Sequence, residues 1–168
     1  MDVLDRQDCE SNLQRISKLL ACGIFSPEQR SNLLQQSAFI DLVICLRDFL
    51  AKSDKYGHRV AFSDDVMLNE YVQDVTDAVT AIRDACCHID SFKRHFDDHK
   101  NRGSYLVAFG GANLIKFGDL ELKSDYADDI AFFYGANRLY LKRHIMRAFE
   151  EAKSHLVPLL KLQNTYGT

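Results

Sequence analysis

Residues 80–91, TAIRDACCHIDS, bring an arginine, an aspartate and a histidine together on what reads as an otherwise apolar-striped helix. On a helix, Asp84 and His88 lie four positions apart and are surface neighbours, with Arg83 beside them at the flank of the stripe. A carboxylate so placed orients an imidazole and favours its protonated form. Histidine serves as general base or acid because its ordinary titration falls near neutrality. An arginine alongside can grip a phosphate with two donors and stabilise the charge that develops on it. Together these groups suffice for RNA cleavage without a metal, since the ribose 2′-hydroxyl is the internal nucleophile.

Two other stretches repeat the Arg-to-His spacing. These are Arg94 to His99 in RHFDDH and Arg138 to His144 in RLYLKRH. The first lies where a helix should fray and carries two aspartates that repel phosphate. The second straddles a strand-to-helix junction. Arg138, Lys142, Arg143 and Arg147 form the densest basic run in the chain, with Tyr140 among them, and are the candidate contacts for an RNA backbone. The acidic pairs Asp64/Asp65, Asp97/Asp98 and Asp128/Asp129 have none of the spacing of a metal site, so neither metal nor cofactor is expected. FGGAN (109–113) has no phosphate-loop pattern and reads as a hairpin turn.

The composition sets the frame for this chemistry. The 168 residues suit one domain, and 46% hydrophobic with 27% charged residues is ordinary for a packed globular chain. A net charge of −3 argues against broad electrostatic binding to nucleic acid but leaves room for a local basic groove. No apolar run reaches the ~20 residues that span a bilayer, and the acidic MDVLDRQDCE start has no signal-peptide core. The five cysteines form no C-x-x-C pair and read as small buried residues of a reducing cytoplasm. A cytoplasmic protein without a membrane segment is expected.

The elements that must position the polar cluster follow from periodicity. Leu13, Ile16, Leu19 and Leu20 share one face of a first helix over 3–22, broken at Gly23. SPEQR reads as the start of a second, with Ser26 as cap and Pro27 at its first position, continuing through Leu33, Leu34, Phe39, Leu46 and Leu50. Ser63, Asp64 and Asp65 read as the start of a third and longest helix, whose seam Val72, Val75, Val79, Ile82, Cys86 and Ile89 runs to about residue 98. Short β-prone runs separated by glycines then fill about 104–141 as a small hairpin or meander. A last helix follows from Tyr140, with Pro158 expected to kink or end it. The expected fold is mainly α: one domain over 1–168, a bundle of about four helices with a small antiparallel β insertion before the last.

RDACCH on a long bundle helix resembles the HEPN superfamily, whose motif is an Arg, a favoured polar residue and a His after four to six intervening residues. The matching positions are Arg83, Asp84 and His88. The resemblance implies a bundle that dimerises through its motif helices and cleaves RNA in a composite cleft, as toxins, phage-defence effectors or processing enzymes do. Asp90 stands where one toxin branch has a tyrosine, so that branch's regulation is not implied. The expectation is therefore a homodimeric endoribonuclease, with RNA as substrate and a protein antitoxin or regulator as partner. The competing expectation is a non-catalytic helical adaptor that self-associates through the third helix.

Overall fold

The computed structural model describes residues 1–88, 91–95, 102–117 and 120–162. Helix α1, Val3–Ala21, is capped by Asp2, whose carboxylate accepts the Asp5 amide. Helix α2, Gln35–Lys55, is the longest, and Phe39, Leu42, Val43, Leu46, Phe49 and Leu50 place its apolar face in the core. A buried carboxylate clasps the two helices: Asp5 accepts from Lys52 and Lys55 of α2 and from Tyr56, the residue that follows it. Those bonds, led by Lys52, hold its acidity well below the usual carboxylate range.

Helix α3, Val75–Cys87, packs on α2 through Val75, Val79 and Ile82, all fully buried. Ala78, Ala81 and Ala85 let neighbouring elements approach closely. Among the described residues of the seam, Val72, Val75, Val79 and Ile82 are buried in the core. Helix α4, Arg147–Leu162, follows a six-residue π-helical turn over Leu141–Met146.

Between α3 and α4 the described residues form five strands: β1 Tyr105–Phe109, β2 Ala112–Phe117, β3 Leu120–Ser124, β4 Ile130–Tyr134 and β5 Asn137–Tyr140. They form an antiparallel sheet of order β1-β4-β5 and a separate β2–β3 hairpin. Strand alternation gives the sheet two buried faces. Phe132 points to the helices, stacking on Phe39 at 4.5 Å with Phe25 edge-on. Ala131, Phe133 and Tyr140 belong to a second cluster with Ala108 and Leu122, the latter from the hairpin. The mainly α architecture with its β insertion before the last helix matches the expectation. No described helix is long and apolar enough to cross a membrane.

Several boundaries differ from the sequence reading, each for a local reason. Ser26 opens only a three-residue 3₁₀ turn, Pro27–Gln29. The Asn32 side chain then accepts the Leu34 amide and delays the helix to Gln35, leaving Leu33 and Leu34 exposed. Ser63 to Asp65 is a turn in which Asp65 adopts φ 60°, so the third helix is neither the longest nor begun there. Its cap is Asp74, which accepts the Asp77 amide and is gripped by Arg59 through Nε at 2.8 Å and Nη2 at 3.2 Å. That helix closes at His88 instead of near residue 98. FGGAN does not fold a hairpin: Gly110, at φ 80°, donates to the Asp129 carbonyl and turns the chain from β1 into the β2–β3 pair. Pro158 stays within α4, on an exposed position where the carbonyl it leaves unpaired can meet water.

Candidate functional site

Arg83, Asp84 and His88 come together at the C-terminal end of α3, in an arrangement a continuous helix would not produce. His88 is the C-cap residue, with extended backbone (φ −117°, ψ 107°), and its amide donates to the Asp84 carbonyl at 3.0 Å. Leaving the helix swings the imidazole away from the Asp84 carboxylate and towards Arg83. Nη1 of Arg83 lies 3.5 Å from His88 Nε2 and 3.2 Å from Asp84 Oδ1. A guanidinium only donates, so Nε2 is the accepting, unprotonated nitrogen in this contact. Asp84 therefore orients the histidine through Arg83.

The chain supplies a fourth member that the sequence reading missed. Ser91 caps the 3₁₀ turn Phe92–Arg94 by accepting the Lys93 amide, and Lys93 Nζ reaches Asp84 Oδ2 at 2.6 Å. Partial burial pushes the Asp84 carboxyl up, but the Lys93 and Arg83 charges outweigh it and hold the group below its ordinary value. One carboxylate thus anchors two cations, and His88 stands beside them exposed to solvent. Nε of Arg83 is buried with no acceptor among the described residues, so the guanidinium is not saturated by its neighbours. The signal for Lys93 was its position ten residues after Arg83, which only a chain reversal makes meaningful.

Beside Lys93 lies a cavity of about 270 Å³, walled by Tyr71 and Phe92 and floored by Val72 and Ala81. The two rings meet edge-on at 5.7 Å and are 63% and 50% exposed. Tyr71 reaches this place because Asn69 accepts the Tyr71 and Val72 amides and tightens the loop before α3.

The other candidates fall elsewhere. Arg138 bonds Asp125 at 2.9 Å and lies over the Tyr140 ring. Lys142 donates to the Asp128 carbonyl. Arg143 binds Asp128 and Asp129 at 3.0 Å each, with its guanidinium 3.6 Å from the Tyr126 ring centre. Arg147 pairs with Asp64 and covers Phe62. The three arginines of the densest basic run are therefore paired with aspartates, and the run fastens the loop at Asp64 and the Asp125–Asp129 segment to the start of α4. His144 is fully buried: Nδ1 accepts the Tyr140 amide and Nε2 donates to the Asp64 carbonyl, both at 3.1 Å. Burial depresses its basicity, and its role is structural. Arg94 bonds the Tyr134 hydroxyl, whereas His99 of the remaining motif match lies outside the described residues, as do Asp97 and Asp98. Asp64/Asp65 and Asp128 share a cavity with Lys142, Arg143 and Arg147, where Arg147 pairs with Asp64, Arg143 pairs with Asp128, and Asp65 accepts the Tyr126 hydroxyl. Of the vicinal cysteines, burial pushes the Cys86 thiol up to about 12, while Cys87 is exposed.

Comparison of the chain with protein-family models, with curated proteins and with solved structures finds no match.

Proposed function

We propose that the protein is a metal-independent endoribonuclease acting through Arg83, His88 and Lys93, with Asp84 holding them in place. The supporting observation is the meeting of an exposed imidazole with two cations on one anchoring carboxylate at the end of α3. Arg83 and Lys93 bind the scissile phosphate and offset the charge that grows on its oxygens. His88 Nε2 takes the proton of the 2′-hydroxyl as that oxygen attacks phosphorus. The bond to the 5′-oxygen breaks, leaving a 2′,3′-cyclic phosphate, and the 5′-oxygen takes up a proton to become a hydroxyl. One histidine serves one of these two transfers, so the reading includes a second copy of the chain to supply the other. The exposed Tyr71 and Phe92 rings give an unpaired base a surface to stack on. Arg138, Arg143 and Arg147, paired with aspartates, and Lys142, which donates to the Asp128 carbonyl, have in this reading a supporting role outside the phosphate track. The resemblance extends the proposal to a toxin or phage-defence effector held in check by a protein partner.

The test is cleavage of total RNA in EDTA by the wild type and by His88→Ala. Because His88 is exposed, the variant should keep the wild-type melting temperature while losing activity by roughly 10²-fold or more. Equal activity in the two proteins would sink the assignment. Absence of cleavage by the wild type would favour a non-catalytic adaptor.

A further inference from the structure

The cavity between Tyr71 and Phe92 continues directly into the polar cluster at the end of α3. Lys93 lines it, and the Nζ of the same residue bonds Asp84. Ala81, on its floor, stands three positions before Asp84, so the two share a helix face with roughly 5–6 Å between their Cβ atoms. The β4–β5 turn fixes the Lys93 wall. Asn137 Nδ2 donates to the Lys93 carbonyl at 3.0 Å, and Gly135, at φ 60°, lies so close that a Cβ there would stand 2.6 Å from the same oxygen.

The walls suit a flat ring. Tyr71 and Phe92 have ring centres 5.7 Å apart at 63°, whereas a ring sandwiched between them would need roughly 7 Å, twice a close carbon contact. A planar ligand therefore stacks on one ring and meets the edge of the other. The rim adds a pattern of donors and acceptors. Asn69 spends its side-chain oxygen on the Tyr71 and Val72 amides, at 2.8 and 3.0 Å, and has its NH₂ left to donate. Glu70, exposed next to it, brings a carboxylate to the same cavity. That carboxylate sits by the Tyr71 hydroxyl and pushes it up from its ordinary value. One such bond leaves a carboxylate with further accepting positions. Two acceptor oxygens beside one amide donor match a single RNA base. Only guanine carries two adjacent N–H donors, N1–H and the 2-amino group, next to an acceptor, O6.

We propose that this cavity is the subsite for an unpaired guanine base, with N1–H and the 2-amino group on the Glu70 carboxylate, O6 on the Asn69 NH₂ and the ring stacked at Tyr71 and Phe92. A phosphate of that nucleotide falls to Lys93, so RNA is cut beside guanosines. In a duplex the pairing edge of guanine is already occupied, so the site selects single strands. The place of the phosphate rests on the ribonuclease reading, whereas the base site stands on the cavity itself.

The experiment is calorimetric titration of the wild type, Glu70→Gln and Phe92→Ala with guanosine and adenosine 3′,5′-bisphosphates. Glutamine keeps one acceptor but turns an NH₂ towards the guanine N–H groups. Support is a wild type that binds the guanosine ligand about tenfold or more tightly than the adenosine one, with the preference lost in Glu70→Gln. Phe92→Ala should weaken both ligands by roughly fivefold or more. Both side chains are exposed, so melting temperatures should not move. Equal binding of the two ligands, no binding of either, or a preference that survives Glu70→Gln overturns the proposal. Should a variant fail to fold, inosine 3′,5′-bisphosphate decides with the wild type alone. It keeps N1–H and O6 but lacks the 2-amino group, so several-fold weaker binding supports the site and equal binding refutes it. Cleavage of a single-stranded oligonucleotide separates the two readings. Cutting without guanine-selective binding leaves the nuclease and removes the base site, and guanine-selective binding without cutting does the reverse.

Discussion

At the residue scale, Asp84 and His144 solve the same problem in different ways. Asp84 stays ionised because two cations meet it. His144 stays neutral because its ring is spent on two backbone groups, accepting from Tyr140 and donating to Asp64, with no room for a second proton. Its folded-state basicity is depressed from the ordinary value of 6.5 by burial. Below that value the unfolded chain takes up a proton that the folded chain refuses, so this contribution to stability is complete above pH 6.5 and falls as the pH drops. Urea midpoints measured from pH 7.5 to 5 should decline for the wild type and decline less for His144→Asn, which is less stable at neutral pH. Parallel pH profiles for the two proteins would contradict the assignment.

At the element scale, α3 carries the candidate site at one end and is set by its other end. Asp74 caps it, is nearly buried, and binds Arg59, which also bonds Asp77 and Asp54. Replacing Asp74 with alanine removes the cap and leaves Arg59 without its most buried partner, a loss of about 2–4 kcal/mol. The melting temperature should fall by roughly 5–15 °C, readable by circular dichroism at 222 nm. A fall of less than about 2 °C would mean that the helix is held by packing alone. The existence of this helix was legible from Val75, Val79 and Ile82. Its start was not, because Ser63-Asp64-Asp65 carries the composition of a cap and the left-handed backbone of Asp65 that rules it out is visible only in three dimensions.

At the scale of the whole molecule, Phe132 joins the sheet to the helices through its contacts with Phe25, Phe39 and Tyr105. Phe132→Ala should cost about 3–5 kcal/mol, and its loss should lower one cooperative transition by roughly 10–15 °C. Two separated transitions would instead show that sheet and bundle unfold independently. The sequence by itself determined the class of the fold, because helical and strand periodicity are local patterns and survive without knowledge of neighbours. It also singled out Arg83, Asp84 and His88 as a group. Tertiary structure alone decided how they meet. The helix ends at His88, so Arg83 and not Asp84 faces the imidazole, and the chain reverses to bring Lys93 to the same carboxylate. The arginines of the basic run Arg138 to Arg147 looked free in one dimension and are paired with aspartates as far as 83 positions away in the chain. Charge pairing of that kind depends on distance in space, which spacing along the chain does not encode.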